Sequence, residues 1–481
     1  MTEVLSVLDF GIVLLYLAGM LVIGAVVSRR IVSFRDYFVA GGRMTTALLV
    51  CTLVSTYYGL DVLFGGSEVS YQEGLVAWFV YLRPYYVAIL IAALFIAKRL
   101  RQHDFLSLPD IGGHFYGNGT RVLFAVASFL YSLPILSIMG IGIVLDLALH
   151  VPFVWGVLIG AGVSVAYTIM GGVVADALTD TVQFVLMCVT LSVAAAAVLG
   201  SAGGAGAVWE RLPSSYLDPM GTYPVGVLIV FASSALSAMV EPAFYQRIFA
   251  AVSYRAVLTA LLIGIVLWAA FDWVVTVVGM AAAARGMEVE PRYALLALTL
   301  EVLPRGMDGL FVAGVLGCAM STIDSYLLIA GGNIAYDVYR PMARRVLSDE
   351  QLIRLTRWMI GFAALVTLVF ALFFQTIVSA WIFMTTILIA TALVPIMAAL
   401  YLPRTATAAA GFASSLTGFL VSLAYYAAVY ALGAFDTERA TQILRMELGA
   451  RTIELWQEYA LLAALPASAL AYALGSVLGR R

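Results

Sequence analysis

Four oxygen-bearing side chains crowd one short stretch, Cys318-Ala319-Met320-Ser321-Thr322-Ile323-Asp324-Ser325. At about 100° per residue of helix, Ser321 and Ser325 stand roughly 40° apart, with Thr322 about 100° and Asp324 about −60° from Ser321. All four therefore share half of the helix circumference. Carboxylates, hydroxyls and freed carbonyls suit alkali or alkaline-earth ions, whereas zinc or copper would want histidine or cysteine. The three histidines, His103, His114 and His150, lie outside the middles of the apolar runs, and Cys51, Cys188 and Cys318 are far apart. Neither a transition-metal centre nor a disulfide framework is implied. A single buried hydroxyl often does no more than bond the carbonyl four residues back; the grouping with Asp324 is what points to an ion.

Other polar groups recur inside apolar surroundings. Ser55-Thr56-Tyr57-Tyr58-Gly59-Leu60-Asp61 runs on to Phe64-Gly65-Gly66-Ser67, and Ser233-Ser234-Ala235-Leu236-Ser237 runs on to Glu241-Pro242. Asp180 stands in the segment Gly171-Gly172 to Thr179-Asp180 and Gln183, where the alternative role of Thr179 or Asp180 is a helix cap. Arg83 lies within Trp78-Phe79-Val80-Tyr81-Leu82-Arg83-Pro84-Tyr85-Tyr86, and Asp146 and Asp272 are placed near helix ends in a solvated or pairing role.

The elements that hold these groups follow from composition. Of 481 residues, 63% are apolar and 11% charged, with a formal net charge of −2. A soluble enzyme carries about 25% charged residues, so that class is excluded, and the balanced charge gives no reason to expect nucleic acid. A spanning helix needs about 20 apolar residues. That window yields thirteen spans, near 6–27, 45–66, 74–97, 120–149, 152–170, 178–200, 224–248, 256–284, 308–336, 357–375, 377–402, 407–431 and 454–478. Met1–Asp9 lacks the basic region of a cleaved signal, so the first span is expected to stay. Short basic loops stay cytoplasmic. With the N-terminus outside, eighteen of the Lys and Arg residues, Arg247 among them, fall in inside connections, seven fall outside, and Arg83 alone lies within a span. The C-terminus is then cytoplasmic. The stretch Tyr293–Leu303 is too short to cross and reads as a re-entrant or capping helix.

Breaks in a spanning helix survive only where they are buried or line a wet cavity. The second and seventh spans are discontinuous on this reading, and each opens a set of five, 45–200 and 224–402. Matching interrupted segments in two halves point to a transporter site at an inverted-repeat interface. The chain divides into an extra span and loop (1–44), the first repeat (45–200), an outer loop (201–223), the second repeat (224–402) and two C-terminal spans (403–481).

At this point the sequence resembles the sodium:solute symporter family, all-α membrane proteins of thirteen spans with a five-plus-five inverted, leucine-transporter-like core. Four stretches carry the resemblance: Phe34-Arg35-Asp36-Tyr37-Phe38-Val39-Ala40-Gly41-Gly42-Arg43; Gly171-Gly172 through Thr179-Asp180 and Gln183; Gln246-Arg247-Ile248-Phe249-Ala250-Ala251; and Ser321-Thr322 through Asp324-Ser325 to Asp337-Val338-Tyr339. The resemblance implies Na+ as the transported coupling ion. It implies a sodium site from the carbonyls of Ser55, Tyr58 and Cys318 and the hydroxyls of Ser321 and Thr322, with Asp180 as its electrostatic support. A further sodium between Asp180, Asp324 and Ser325 is implied by the habits of some members.

The same resemblance places the substrate between the second, third, seventh and eleventh spans, giving Tyr57, Asp61, Tyr81, Arg83, Ser234, Ser237 and Glu241 as its expected contacts. An arginine fork suits a carboxylate; its competing role is to pair with Asp61 or Glu68 and lock the bundle. The expectation is thus a sodium-coupled importer of a carboxylate or amino acid, acting as a monomer in the plasma membrane. The alternatives are a sugar or polyol symporter and a non-transporting substrate sensor, although the chain ends at Arg481 straight after its last span with no appended signalling module. A membrane-embedded enzyme is not expected, because no HExxH, GxSxG or two-histidine motif occurs.

Overall fold

Apolar runs of this length pair every interior amide when helical, which is what hydrocarbon demands. The computed structural model describes residues 6–27, 33–304, 306–343, 345–372, 377–437, 441–448 and 451–479. Among these, eleven helices are long and apolar enough to cross a membrane, and twelve if the bent pair Thr46–Tyr57 and Leu60–Glu73 is one span. The expected count of thirteen is therefore not reached by length and composition. The difference lies at 152–170: the apolar stretch Phe153–Ala166 is shorter than a crossing, and its helix, Phe153–Ala202, runs on through a kink at Gly172. Gly172 has φ 56° and ψ −171°, and a Cβ there would lie 2.6 Å from Tyr37 Cδ2, so only glycine fits. Asp180 falls well inside the helix and does not cap it.

Two segments interrupt their helices. Thr46–Tyr57 stops at Tyr58 (φ −94°, ψ 59°), Gly59 opens Leu60–Glu73, and the two axes differ by 49°. Val225–Ser234 tightens into a 3-10 turn, Ala235–Met239. Beyond Val240, Glu241 caps Pro242–Ala250, its side chain accepting from the Ala243 N–H at 3.4 Å. Pro242 suits that first helical position because its missing N–H would have no partner there.

The helix Asp308–Gly332, which carries the oxygen cluster, is the centre of the bundle. Within its apolar span 94% of residues are buried, against 22% for Val7–Val26 at the periphery. It packs on Phe153–Ala202, Ile135–Leu149 and Thr46–Tyr57, while Tyr254–Ala284 lies along both pieces of the bent pair. At one end of the bundle the Met44 N–H donates to Ala250 O (2.9 Å), Arg101 donates to Ile248 O (3.3 Å) and Arg35 pairs with Asp104 (2.6 Å). At the other, the Leu75 N–H donates to Tyr216 O (2.9 Å), Thr222 Oγ1 to Glu73 (2.7 Å) and Tyr293 Oη to Asp146 (3.2 Å). The short helix at Tyr293–Leu303 is present as Ala294–Val302 and packs against Tyr254–Ala284.

The all-α expectation needs one amendment. Ala434–Asp436, Thr441–Leu448 and Arg451–Trp456 form a three-stranded antiparallel sheet, with Ala434 opposite Ile443 and Ile443 opposite Trp456. Thr441, Ile443 and Trp456 are buried, and further along the same face of the strand Arg445 pairs with Asp436 (2.7 Å) and Glu454 (3.0 Å) at the exposed end.

Candidate functional site: an oxygen cradle beside an aromatic cavity

The break after Tyr57 brings its last main-chain carbonyls against the central helix. Ser321 Oγ lies 3.0 Å from both Ser55 O and Cys318 O. Thr322 Oγ1 lies 3.1 Å from both Thr56 O and Cys318 O. Each hydroxyl has one proton to share between two carbonyls, so five oxygens converge without enough donors. A cation of about 1+ charge answers all five at once, which is the chemistry of a hard-ion site. Gly59 permits the approach, since a Cβ there would sit 2.8 Å from Thr322 Oγ1. Ser55, Cys318, Ser321 and Thr322 thus come together as expected. The Thr56 carbonyl joins this set, and Tyr58 lines the neighbouring cavity.

Next to the cradle lies a buried charge cluster. Carboxylate oxygens of Asp176, Asp180 and Asp324 all fall within 4.8 Å of one another. Arg247 reaches in from the Pro242–Ala250 helix, 2.8 Å from Asp176 and 3.8 Å from Asp180, and donates to Thr56 Oγ1 (3.0 Å), Thr52 Oγ1 (3.2 Å) and Ser325 Oγ. Ser325 Oγ in turn contacts Asp176 at 2.9 Å and Thr56 Oγ1 at 3.1 Å, and Thr52 Oγ1 donates to Asp180. Thr56 therefore joins the two groups: its carbonyl meets Thr322 and its hydroxyl meets Asp180 (3.3 Å), Ser325 and Arg247. Arg247 thus pairs with two of the three carboxylates of the cluster.

Sequence reasoning missed four members of the cluster, Arg247, Asp176, Thr52 and Thr56. Arg247 was placed in an inside connection, but its side chain is only 1% exposed, so it leaves the count of loop charges. Asp176 precedes Asp180 by four residues and so shares its helix face, a signal legible in the sequence but not used.

On the far side of the cradle is a cavity of about 100 Å³. Tyr57, Asp61 and Tyr81 line it as expected, together with Thr56, Tyr58 and Thr322. Ser237 and Glu241 stand one shell behind: Ser237 Oγ is 2.7 Å from Tyr85 Oη, and Glu241 accepts from Tyr326 Oη at 2.9 Å. Ser234 gives Tyr85 its carbonyl (3.1 Å), while its hydroxyl turns back to Phe231 O.

Arg83 is the clear correction. It is exposed, with its guanidinium 4.8 Å from the Phe79 ring centroid and 5.8 Å from that of Trp78. It neither lines the cavity nor pairs with Asp61 or Glu68. Asp272, expected near a helix end, lies mid-helix instead, lines the cavity and accepts from Tyr86 Oη.

A cradle of oxygens that shares a wall with an aromatic cavity, in a bundle of membrane-length helices, has the layout of a cation-coupled secondary transporter. The chain belongs to the sodium:solute symporter family, which it matches over residues 37–418. Sodium is accordingly its coupling ion and a small organic solute its cargo. It is 26% identical to the high-affinity proline transporter PutP of Bacillus subtilis (strain 168), over 73% of this chain and 78% of that one. It is 25% identical to the high affinity choline transporter 1 of Homo sapiens, over 79% and 70% respectively. Its fold is shared with a Na+-coupled sialic acid symporter solved in a substrate-bound outward-open state, with a TM-score of 0.77 at 18% identity and 98% of each chain covered.

Proposed function

We propose that the chain imports its solute by alternating access, with one sodium ion held by Ser55 O, Thr56 O, Cys318 O, Ser321 Oγ and Thr322 Oγ1. One observation carries this reading: Thr322 and Thr56 belong to both the cradle and the cavity wall. An ion that pins the Thr46–Tyr57 carbonyls to the central helix also fixes that wall, so sodium raises solute affinity and the solute raises sodium affinity by the same factor. A second sodium sits among Asp180, Asp324 and Ser325, where carboxylate oxygens of Asp176, Asp180 and Asp324 converge within 4.8 Å of one another.

The finer architecture belongs to the same proposal. Counting Phe153–Ala166 with the kinked helix as a further crossing and the bent pair as one span gives thirteen spans. The repeats are 45–200 and 224–402, flanked by 1–44, 201–223 and 403–481. The end carrying Arg35, Arg99 and Arg101 faces the cytoplasm with the C-terminus, the N-terminus is outside, and one copy suffices in the plasma membrane. The test is solute uptake into proteoliposomes. Uptake should require an inward sodium gradient, and equal uptake with potassium and a proton gradient alone would overturn the proposal.

A further inference from the structure

The cavity that the proposal assigns to the solute has a chemistry of its own. Among its lining residues are seven tyrosines and two tryptophans, two carboxylates, and no Lys, Arg, His, Asn or Gln. Several rings have their polar ends engaged elsewhere: the Trp268 N–H donates to Val54 O at 3.3 Å, Tyr85 Oη to Ser234 O, and Tyr326 Oη to Glu241. What these side chains show to the cavity is π surface. Tyr57 and Trp268 meet at 5.6 Å between centroids, and Tyr81 and Trp381 at 5.1 Å.

Behind this surface lie the two carboxylates. Asp272 is 3% exposed, with its carboxylate flanked by the hydroxyls of Tyr86 and Tyr58. The hydroxyls of Tyr57 and Ser137 are buried without a hydrogen-bond partner among the described residues. Asp61 occupies the first turn of Leu60–Glu73, where its carboxylate accepts from its own N–H and that of Val62. That helix N-terminus is the one feature of the break able to receive an anion, and Asp61 already fills it.

Resting on the symporter reading, we propose that the cavity selects an organic monocation, a compact alkylammonium, held between the faces of Tyr57, Trp268, Tyr81 and Trp381 and countered by Asp272 and Asp61. A carboxylate would meet two carboxylates and no base. A sugar would want the paired donors and acceptors of amides and bases, which the wall lacks. An ammonium meets both halves of this wall: the ring quadrupoles attract it, and the buried carboxylate, costly without a counter-charge, gains one. Solute and sodium then enter with the same sign, so each cycle carries more charge than sodium alone.

The test uses the purified full chain in lipid nanodiscs and calorimetric titration with tetramethylammonium, proline and glucose, each in sodium and in potassium buffer. Tetramethylammonium should bind, more tightly in sodium, and proline and glucose should not displace it. Asp272→Asn should weaken its binding by about tenfold or more, as should Trp381→Leu, which keeps apolar bulk but removes the ring. Stabilisation of each variant by sodium alone reports that it is folded with its cradle intact. Binding of proline or glucose without tetramethylammonium, or tetramethylammonium binding undiminished in both folded variants, would overturn this inference and leave the symporter reading untouched. Tetramethylammonium binding in a protein indifferent to sodium would do the reverse.

Discussion

Thr322→Val separates an ion ligand from a packing hydroxyl. Valine keeps the shape of threonine and removes one oxygen, so the packing of the central helix against Thr46–Tyr57 is preserved while the cradle falls from five oxygens to four. The interaction of a hydroxyl with a full charge is worth about 1.5–3 kcal/mol, which corresponds to about 10- to 150-fold in affinity. A ligand at 100 times its dissociation constant stabilises the folded state by about 2.7 kcal/mol. With a dissociation constant weakened 10- to 100-fold, the same sodium concentration would contribute only about 1.4 to 0.4 kcal/mol by the same relation. Two assays read this: the sodium concentration giving half-maximal uptake, and the rise in Tm on replacing potassium with sodium in the absence of solute. Thr322→Ser retains the oxygen and should stay within a few-fold of the parent in both. If Thr322→Val activates at the parental sodium concentration and shows the parental Tm rise, the hydroxyl only bonds carbonyls and the cradle is misassigned.

Neutralising Asp324 to Asn should reduce the steepness of sodium activation, or the charge moved per solute, and spare the first sodium event; an unchanged steepness would leave Asp180 and Asp176 serving only Arg247. Removing one partner of a buried pair costs about 3–5 kcal/mol, so Arg247→Met should lower Tm sharply, and adding Asp176→Asn should recover part of the loss, a recovery that a double-mutant cycle measures. Arg83→Ala should leave solute affinity unchanged in equilibrium binding, because its guanidinium packs on Phe79 and Trp78 outside the cavity.

Patterns local to one element were legible without coordinates. Apolar length declared the helices, the Tyr58-Gly59 and Glu241-Pro242 steps marked where they stop, and the spacing of Ser321, Thr322, Asp324 and Ser325 put oxygens on one helix face. These follow from helical period and from what glycine and proline do to a backbone.

Residues that meet across elements were not legible. Arg247 reads as a loop arginine until the Pro242–Ala250 helix folds inward and sets it among Asp176, Asp180 and Ser325. Arg83 reads as a buried anchor until it is found packed on Trp78 and Phe79 outside the cavity, and Asp272 reads as a helix end until the Tyr254–Ala284 helix places it mid-span beside Tyr86. A sequence fixes how a side chain sits on its own helix, but the sign of charge inside a cavity is a sum over walls from different helices. Here the sequence by itself determined an oxygen-rich helix face in a membrane bundle, and only the packing of its broken neighbours decided that the cavity beside it is aromatic and acidic.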